Sequence, residues 1–145
     1  MTVGQSSHGG ASRSRAWLCF AAVFVGVTAL MLVPLGSSGG APSIPHLDKL
    51  VHLGAWLALA VALWFPLRAA GRMSVARAIA MVAGLGLWGV AIELLQGLVP
   101  ERTGDVWDAL ADLCGAALGA LIMAALERRE PQGAALIGTT RENDT

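Results

Sequence analysis

The sequence has few charged residues for its length, and its positive and negative charges are equal in number. Charged residues make up 14% of the 145 positions, hydrophobic residues 55%, and the mean hydropathy is +0.63. Soluble domains carry about a quarter charged residues, so this composition excludes an ordinary soluble domain and indicates a membrane protein. The net charge is zero and no continuous basic stripe is present, which argues against a nucleic acid as partner.

Cysteine is also scarce, which limits both the covalent framework and the chemistry. The two cysteines, Cys19 and Cys114, are expected at different depths of the membrane, so the sequence predicts no disulfide framework. Cys114 has no motif partner, and the serines that follow the first apolar run lie in a Gly- and Pro-rich loop. The lack of a nucleophile beside a base favours direct acid–base or metal-assisted chemistry over a covalent route.

Long hydrophobic runs are what the sequence does contain. They occupy residues 16–35, 50–67, 78–99 and 106–126, with Pro66 and Pro100 expected to close the second and third. At about 1.5 Å per residue, such helices span a bilayer core of about 30 Å. The fold class is therefore all-α, a polytopic membrane protein with a four-helix domain over residues 16–126 and polar tails at 1–15 and 127–145. A cleaved signal peptide is the alternative for the first run, but its apolar core exceeds the usual length of about 7–15 residues.

The arginines predict how the four helices are oriented. Eight of the ten basic residues fall before the first run, between the second and third, or after the fourth: Arg13, Arg15, Arg68, Arg72, Arg77, Arg128, Arg129 and Arg141. Basic residues concentrate on the cytoplasmic side of membrane proteins. Both termini are therefore expected to be cytoplasmic. Abundant Ala and Gly and the excess of Arg over Lys suggest a GC-rich bacterial genome, hence a bacterial plasma membrane.

Polar residues at the opposite membrane face come from three segments. The sequence Asp48-Lys49-x-x-His52 opens the second run, and Glu93-x-x-Gln96 lies near the end of the third. Four more lead into the fourth run: Arg102, Asp105, Asp108 and Asp112. Spacings of three, four and seven residues place each set on one stripe of its helix. The stripe of the fourth run continues as the small residues Gly115 and Gly119, which predicts that it faces the bundle rather than lipid.

Acids outnumber cations in this polar group. With Glu101, which precedes Arg102, the group contains six carboxylates and two cations, which give a charge of −4 when His52 is neutral. Either some carboxylates are protonated, His52 is charged, or a divalent cation joins them. Structural roles also remain open: Asp48 and Asp105 as helix caps, Glu93 and Gln96 as interhelical hydrogen-bonding groups, and Arg102 as a loop tie.

Two segments of the sequence resemble the VanZ-like family of small bacterial membrane proteins. They are DKLVHLGAW and GVAIELLQGLVPERTGDVWDALADLCGAALGALI, and the likeness covers about residues 48–122. The residues that follow the family pattern are Asp48, Lys49, His52, Glu93, Gln96, Pro100, Arg102, Asp108, Gly115 and Gly119. The chain departs from the pattern at Asp112, where the family often has Asn, and at Trp56, where it often has Tyr.

The resemblance implies an outward-facing polar site, and the residue types suggest roles within it. Catalytic candidates are Glu93, His52 and Asp108, and ligand-binding candidates are Asp48, Lys49, Gln96, Arg102 and Asp112. The sequence identifies no cofactor and assigns no metal ligand. The expected function is cell-envelope or lipid-linked substrate processing, with a link to glycopeptide resistance because the family's namesake is linked to teicoplanin resistance. The alternative is a non-catalytic membrane protein that binds a lipid head group, an envelope ligand or a partner protein. Membrane lipids are expected contacts in either case.

Overall fold

Four helices account for nearly all of the described chain. The computed structural model describes residues 7–32, 46–98 and 104–142. Within these ranges the elements are four α-helices and no strand: α1 (Ser7–Leu32), α2 (Leu47–Ala69), α3 (Val75–Gln96) and α4 (Val106–Glu142). All four contain a stretch long and apolar enough to cross a membrane. The prediction of an all-α protein with four membrane-spanning helices is therefore confirmed.

The prolines do not mark the helix ends in the way that the sequence predicted. The expectation that Pro66 closes the second helix is wrong, since α2 continues to Ala69. Pro66 costs the helix only one backbone hydrogen bond in its last turn, and its carbonyl still accepts from the N–H of Ala70 at 3.1 Å. The helix α3 ends at Gln96, where the N–H of Gly97 bonds to the carbonyl of Glu93 at 3.0 Å. Pro100 lies outside the described residues.

The first and last helices extend beyond their apolar runs. The helix α1 begins at Ser7 instead of at residue 16, and α4 continues to Glu142 instead of ending near residue 126. Ala, Glu and Arg have high helix propensity, and water satisfies the polar side chains outside the membrane, so a helix can continue past its apolar part. The division into a domain at 16–126 with tails at 1–15 and 127–145 stays a prediction.

The helix α2 is the centre of the bundle. It packs along α4 and also contacts α1 and α3. Two α2 side chains bond to Glu127 of α4, Arg68 through Nε at 2.7 Å and Trp64 through Nε1 at 2.9 Å. At the opposite end of the bundle, Gln96 Nε2 of α3 donates to the carbonyl of Met31 in α1 at 2.8 Å. Hence α2 and α4 run parallel, α1 and α3 run opposite to them, and the arginines that flank the spans collect at one end.

Large apolar side chains lie both in the core of the bundle and on its surface. Trp56 and Leu59 of α2 and Ile92 of α3 are fully buried at the centre. Large apolar side chains also cover the outside, for example Leu87, which is 73% exposed, and Leu121, which is 68% exposed. An apolar surface of this kind is satisfied by lipid, which supports contact with membrane lipids.

Two glycines set the distance between α4 and α2. A Cβ atom at Gly115 would run into the carbonyl oxygen of Leu53. A Cβ at Gly119 would lie 2.9 Å from the carbonyl oxygen of Leu57 and 2.8 Å from the Cβ of Ala60. These residues therefore let the two backbones approach closely, and the face of α4 that carries the acids faces the bundle, as the sequence predicted.

The close approach predicts that Gly115→Ala destabilises the bundle. We expect the free energy of unfolding to fall by about 1–3 kcal/mol, because the added methyl group meets backbone that cannot move aside alone. Gly54→Ala is the matched control, since nothing lies within 4 Å of a Cβ at that position of α2. Unfolding of the two variants in mild detergent by increasing dodecyl sulfate measures the difference. Equal stability of both variants would contradict this account of the α2–α4 interface.

Candidate functional site

One end of the bundle collects charged side chains from three helices. They come from the start of α2, the end of α3 and the start of α4, including the residue before α4. They form two groups. The lysine cluster consists of Lys49 with Asp48, Asp105 and Asp108, and the histidine cluster consists of His52, Glu93 and Asp112. The two groups are one helical turn apart on α2 and on α4, so the histidine cluster is the deeper of the two in the membrane.

The lysine cluster surrounds one ammonium group with carboxylates. Lys49 Nζ donates to Asp105 Oδ2 at 2.8 Å, to Asp108 Oδ1 at 3.1 Å and to Asp48 Oδ2 at 3.1 Å. The side chain of Asp108 is 11% exposed, whereas that of Asp48 is 57% exposed. The cation therefore ties α2 to the start of α4, and the interaction with Asp48 is the most solvated of the three.

Asp105 links the two clusters and also caps α4. Its Oδ1 accepts the backbone N–H of Trp107 at 2.9 Å, which is the side-chain cap expected at a helix start. Its own backbone N–H donates to Glu93 Oε2 at 2.7 Å. The hydrogen bond from Lys49 lowers the pKa of Asp105 below its ordinary value, so this carboxylate is ionised at neutral pH. Capping and ion pairing thus act together at this residue.

The histidine cluster is buried and lies on three different helices. His52 Nδ1 is 3.0 Å from Asp112 Oδ1 and 3.7 Å from Glu93 Oε1. Asp112 is fully buried, and His52 and Glu93 are 6% and 7% exposed. An ionised Asp at the centre of a membrane-spanning helix costs about 2.5–3.5 kcal/mol, so buried ionisable groups in such helices require partners or a function.

Two oxygens of this cluster have no hydrogen-bond partner among the described residues. They are Glu93 Oε1 and Asp112 Oδ2, and both are buried. Each carboxylate uses its other oxygen, Glu93 to accept the N–H of Asp105 and Asp112 to contact His52. Buried polar atoms are seldom left unpaired, and those that are call for an explanation such as a catalytic role or a bound ion.

Trp56 fixes the position of the imidazole. Its ring stacks on that of His52, with centroids 6.0 Å apart and an interplanar angle of 12°. The indole Nε1 in turn donates to the carbonyl of Leu85 in α3 at 2.7 Å. Because Trp56 is itself fully buried, His52 is held between a rigid ring and two carboxylates.

Two glycines make room for residues of the histidine cluster, one for the carboxylate of Asp112 and one for the backbone of Glu93. A Cβ at Gly89 would lie 2.6 Å from Asp112 Oδ2, and a Cβ at Gly104 would lie 2.6 Å from the carbonyl oxygen of Glu93. Neither glycine was a candidate in the sequence analysis. Their role depends on which residue of a neighbouring helix faces them, and a single sequence carries no signal for that.

The residues that the sequence predicted as catalytic or ligand-binding candidates lie in different environments. Asp108, a catalytic candidate, belongs to the lysine cluster, whereas Asp112, a ligand-binding candidate, contacts His52. Gln96 is buried and bonds to Met31 of α1, which favours its structural reading as an interhelical hydrogen-bonding group. Arg102 lies outside the described residues. The catalytic and ligand-binding roles of these residues stay predictions.

The arrangement is suited to proton transfer or to cation binding. A histidine oriented by a carboxylate is a common general acid or base, and a second carboxylate beside it stabilises a positive charge on the ring. One ligand atom from each of His52, Glu93 and Asp112 lies within 4.8 Å of the other two. Within the part of the chain that the structure describes, no lysine or arginine forms an ion pair with Glu93 or Asp112.

Comparison with models of protein families gives a match. The model of the family described as VanZ/LLP1 matches residues 6–127, a stretch that contains both clusters. The searches of curated proteins and of solved structures each found no significant match.

Proposed function

Because a family model matches most of its length, the chain belongs to the VanZ/LLP1 family, and we propose that it acts on a lipid-linked or other cell-envelope substrate from within the plasma membrane. The observation that carries this proposal is the buried contact between His52 and Asp112, with Glu93 beside it. Such a group can move a proton between itself and a substrate bound at the membrane surface. In this proposal His52 and Glu93 donate protons to the substrate or accept protons from it, and Asp112 orients the imidazole.

The proposed orientation follows from charge. The charged clusters lie at one end of the bundle, whereas the flanking arginines of α2, α3 and α4 lie at the other, for example Arg68, Arg77 and Arg128. The positive-inside rule then puts both termini in the cytoplasm and both clusters toward the outer leaflet. Envelope precursors and lipid head groups are the substrates available on that side.

In this proposal the substrate is bound by residues at the solvent-facing edge of the site. Asp48 is exposed, and Lys49 is partly exposed, so both can meet a head group at the membrane surface. The planar guanidinium of Arg102 suits a phosphate or a carboxylate, and Arg102 precedes Asp105 by three positions in the sequence. A role in teicoplanin-type resistance would follow if the processed envelope component alters how the glycopeptide reaches its target.

Complementation of a deletion strain tests the envelope role. We expect the wild-type gene to restore the lipid and muropeptide profile and the teicoplanin susceptibility, and Glu93→Gln or His52→Ala to fail. Loss of a general acid or base typically lowers a rate by about 10²–10⁴-fold. Glu127→Gln is the matched control, because it removes the charge of a partly buried glutamate at the other end of the bundle. Full restoration by both site variants, at wild-type membrane levels, would refute the proposal.

A non-catalytic role is the second candidate, and the lysine cluster favours it. Its ammonium group and three carboxylates already pair with one another, so they can stabilise the bundle or bind a ligand without chemistry. Incubation of the purified protein with envelope lipid extracts distinguishes the two. Saturable binding without product supports the binding role, and turnover that depends on Glu93 supports the enzyme.

A further inference from the structure

The two clusters neutralise their carboxylates by different means. In the lysine cluster, three carboxylates surround the ammonium group of Lys49. In the histidine cluster, two carboxylates share one imidazole, and both are more deeply buried than their counterparts. The position that the ammonium group of Lys49 fills in one cluster is not filled by a lysine or an arginine in the other, within the described part of the chain.

The histidine cluster contains two buried carboxylate oxygens that have no hydrogen-bond partner among the described residues. Glu93 and Asp112 are each at least nine-tenths buried, and each has one oxygen without a hydrogen-bond partner among the described residues. A proton on one carboxylate would serve only one of these oxygens, and a proton on Nδ1 already points toward Asp112 Oδ1. A single divalent cation would satisfy several of these atoms at once.

The spacing of the atoms fits the coordination shell of a small metal ion. With metal–ligand bonds of about 2.1 Å, neighbouring ligand atoms of a tetrahedral site lie about 3.4 Å apart. His52 Nδ1 lies 3.0 Å from Asp112 Oδ1 and 3.7 Å from Glu93 Oε1, on either side of that value. One ligand atom from each of the three residues lies within 4.8 Å of the other two, so all three residues can contribute to one site.

We propose that His52, Glu93 and Asp112 form a binding site for one divalent transition-metal cation. A mixed imidazole and carboxylate set suits Zn²⁺ or Mn²⁺ better than Ca²⁺ or Mg²⁺, which prefer oxygen ligands alone. Three protein ligands leave a coordination position for water or for an oxygen atom of a substrate. On the solvent side of this site, the carboxylates of Asp48 and Asp105 are at least partly exposed and supply negative charge that attracts cations.

This inference goes beyond the proposed envelope function and can fail independently of it. A metal can stabilise the bundle without any reaction, and acid–base chemistry at His52 requires no metal. Complementation tests the envelope role, whereas metal content and metal coordination test the metal site. The two outcomes are therefore distinguishable.

Metal analysis of the purified full-length protein tests the proposal. The protein is stripped with chelator in detergent and dialysed against micromolar Zn²⁺ or, separately, Mn²⁺, and bound metal is measured by mass spectrometry. We expect one ion per chain in the wild type and in Glu127→Gln, the control at the other end of the bundle. In His52→Ala and Asp112→Asn we expect the affinity to fall by at least about 100-fold, since even outer-shell changes cost 10–100-fold.

A second measurement uses only the wild-type protein, so its result does not depend on whether a variant folds. X-ray absorption of the wild-type Zn²⁺ complex should show nitrogen and oxygen neighbours only, with the scattering of one imidazole. Sulfur neighbours would assign the ion to Cys19 or Cys114 and overturn the proposal. No bound ion in the wild type, or equal binding by the wild type and both site variants, would overturn it as well.

Discussion

Replacing His52 by leucine is expected to lower the free energy of unfolding by about 3–5 kcal/mol, one of the largest effects available to a single substitution in this chain. The imidazole is the only basic side chain of the described residues that contacts both Glu93 and Asp112. Without it, two buried carboxylates face each other across an apolar side chain. Metal-free buffer is used, and unfolding in mixed micelles gives the free energy.

A double-mutant cycle with Asp112→Asn assigns that loss to its cause. Asp112→Asn removes the charge without changing the volume, so the double variant should recover a large part of the stability lost in His52→Leu. His52→Asn is the control for packing, because its side-chain amide can still donate a hydrogen bond toward Asp112. Additive losses in the cycle, with His52→Asn as unstable as His52→Leu, would show that His52 contributes packing rather than charge compensation.

Replacing Gly89 by alanine is expected to disable the site although Gly89 carries no chemistry. The new methyl group would lie 2.6 Å from Asp112 Oδ2 and 2.9 Å from its Cβ, so either the carboxylate or α3 must move. Overpacking of this kind costs about 1–3 kcal/mol of stability. A displacement of about 1 Å in a catalytic constellation can lower a rate about 100-fold. We therefore expect loss of complementation together with a moderate loss of stability.

Gly84→Ala provides the matched control for that substitution. Gly84 lies on the same helix, and nothing is within 4 Å of a Cβ at its position. Complementation by the two variants in the deletion strain, at equal membrane levels, measures the difference. If Gly89→Ala complements as well as Gly84→Ala does, then the close contact between α3 and Asp112 is unimportant for function.

Much of the fold could be predicted from composition and spacing. The four apolar runs correspond to α1, α2, α3 and α4, because a stretch of about 20 apolar residues has few alternatives to a membrane-spanning helix. Helix ends were less predictable. Pro66 was expected to stop α2 and did not, since one lost hydrogen bond in a last turn is a small cost when the helix is buried against others.

The sequence predicts which residues belong to the candidate site. It does not predict which of these residues pair with one another. Asp108 and Asp112 are one turn apart on the same stripe of α4, so their spacing gives both an equal chance of meeting His52. The register between α2 and α4 decides which of these two acids contacts His52. Contact of Gly115 with Leu53 fixes that register, which places Asp108 beside Lys49 and Asp112 beside His52.

The sequence by itself determined the number of membrane-spanning helices, the concentration of arginines at one end of the bundle and the excess of acid over base at the other. These properties follow from counting residues along the chain, and they hold for any packing of the helices. Only the tertiary structure decided that the acids divide into one group around Lys49 and another around His52, and that two oxygens of the second group have no hydrogen-bond partner among the described residues. The reason is physical: pairing depends on distances of about 3 Å across helix interfaces, and side-chain packing between helices sets those distances.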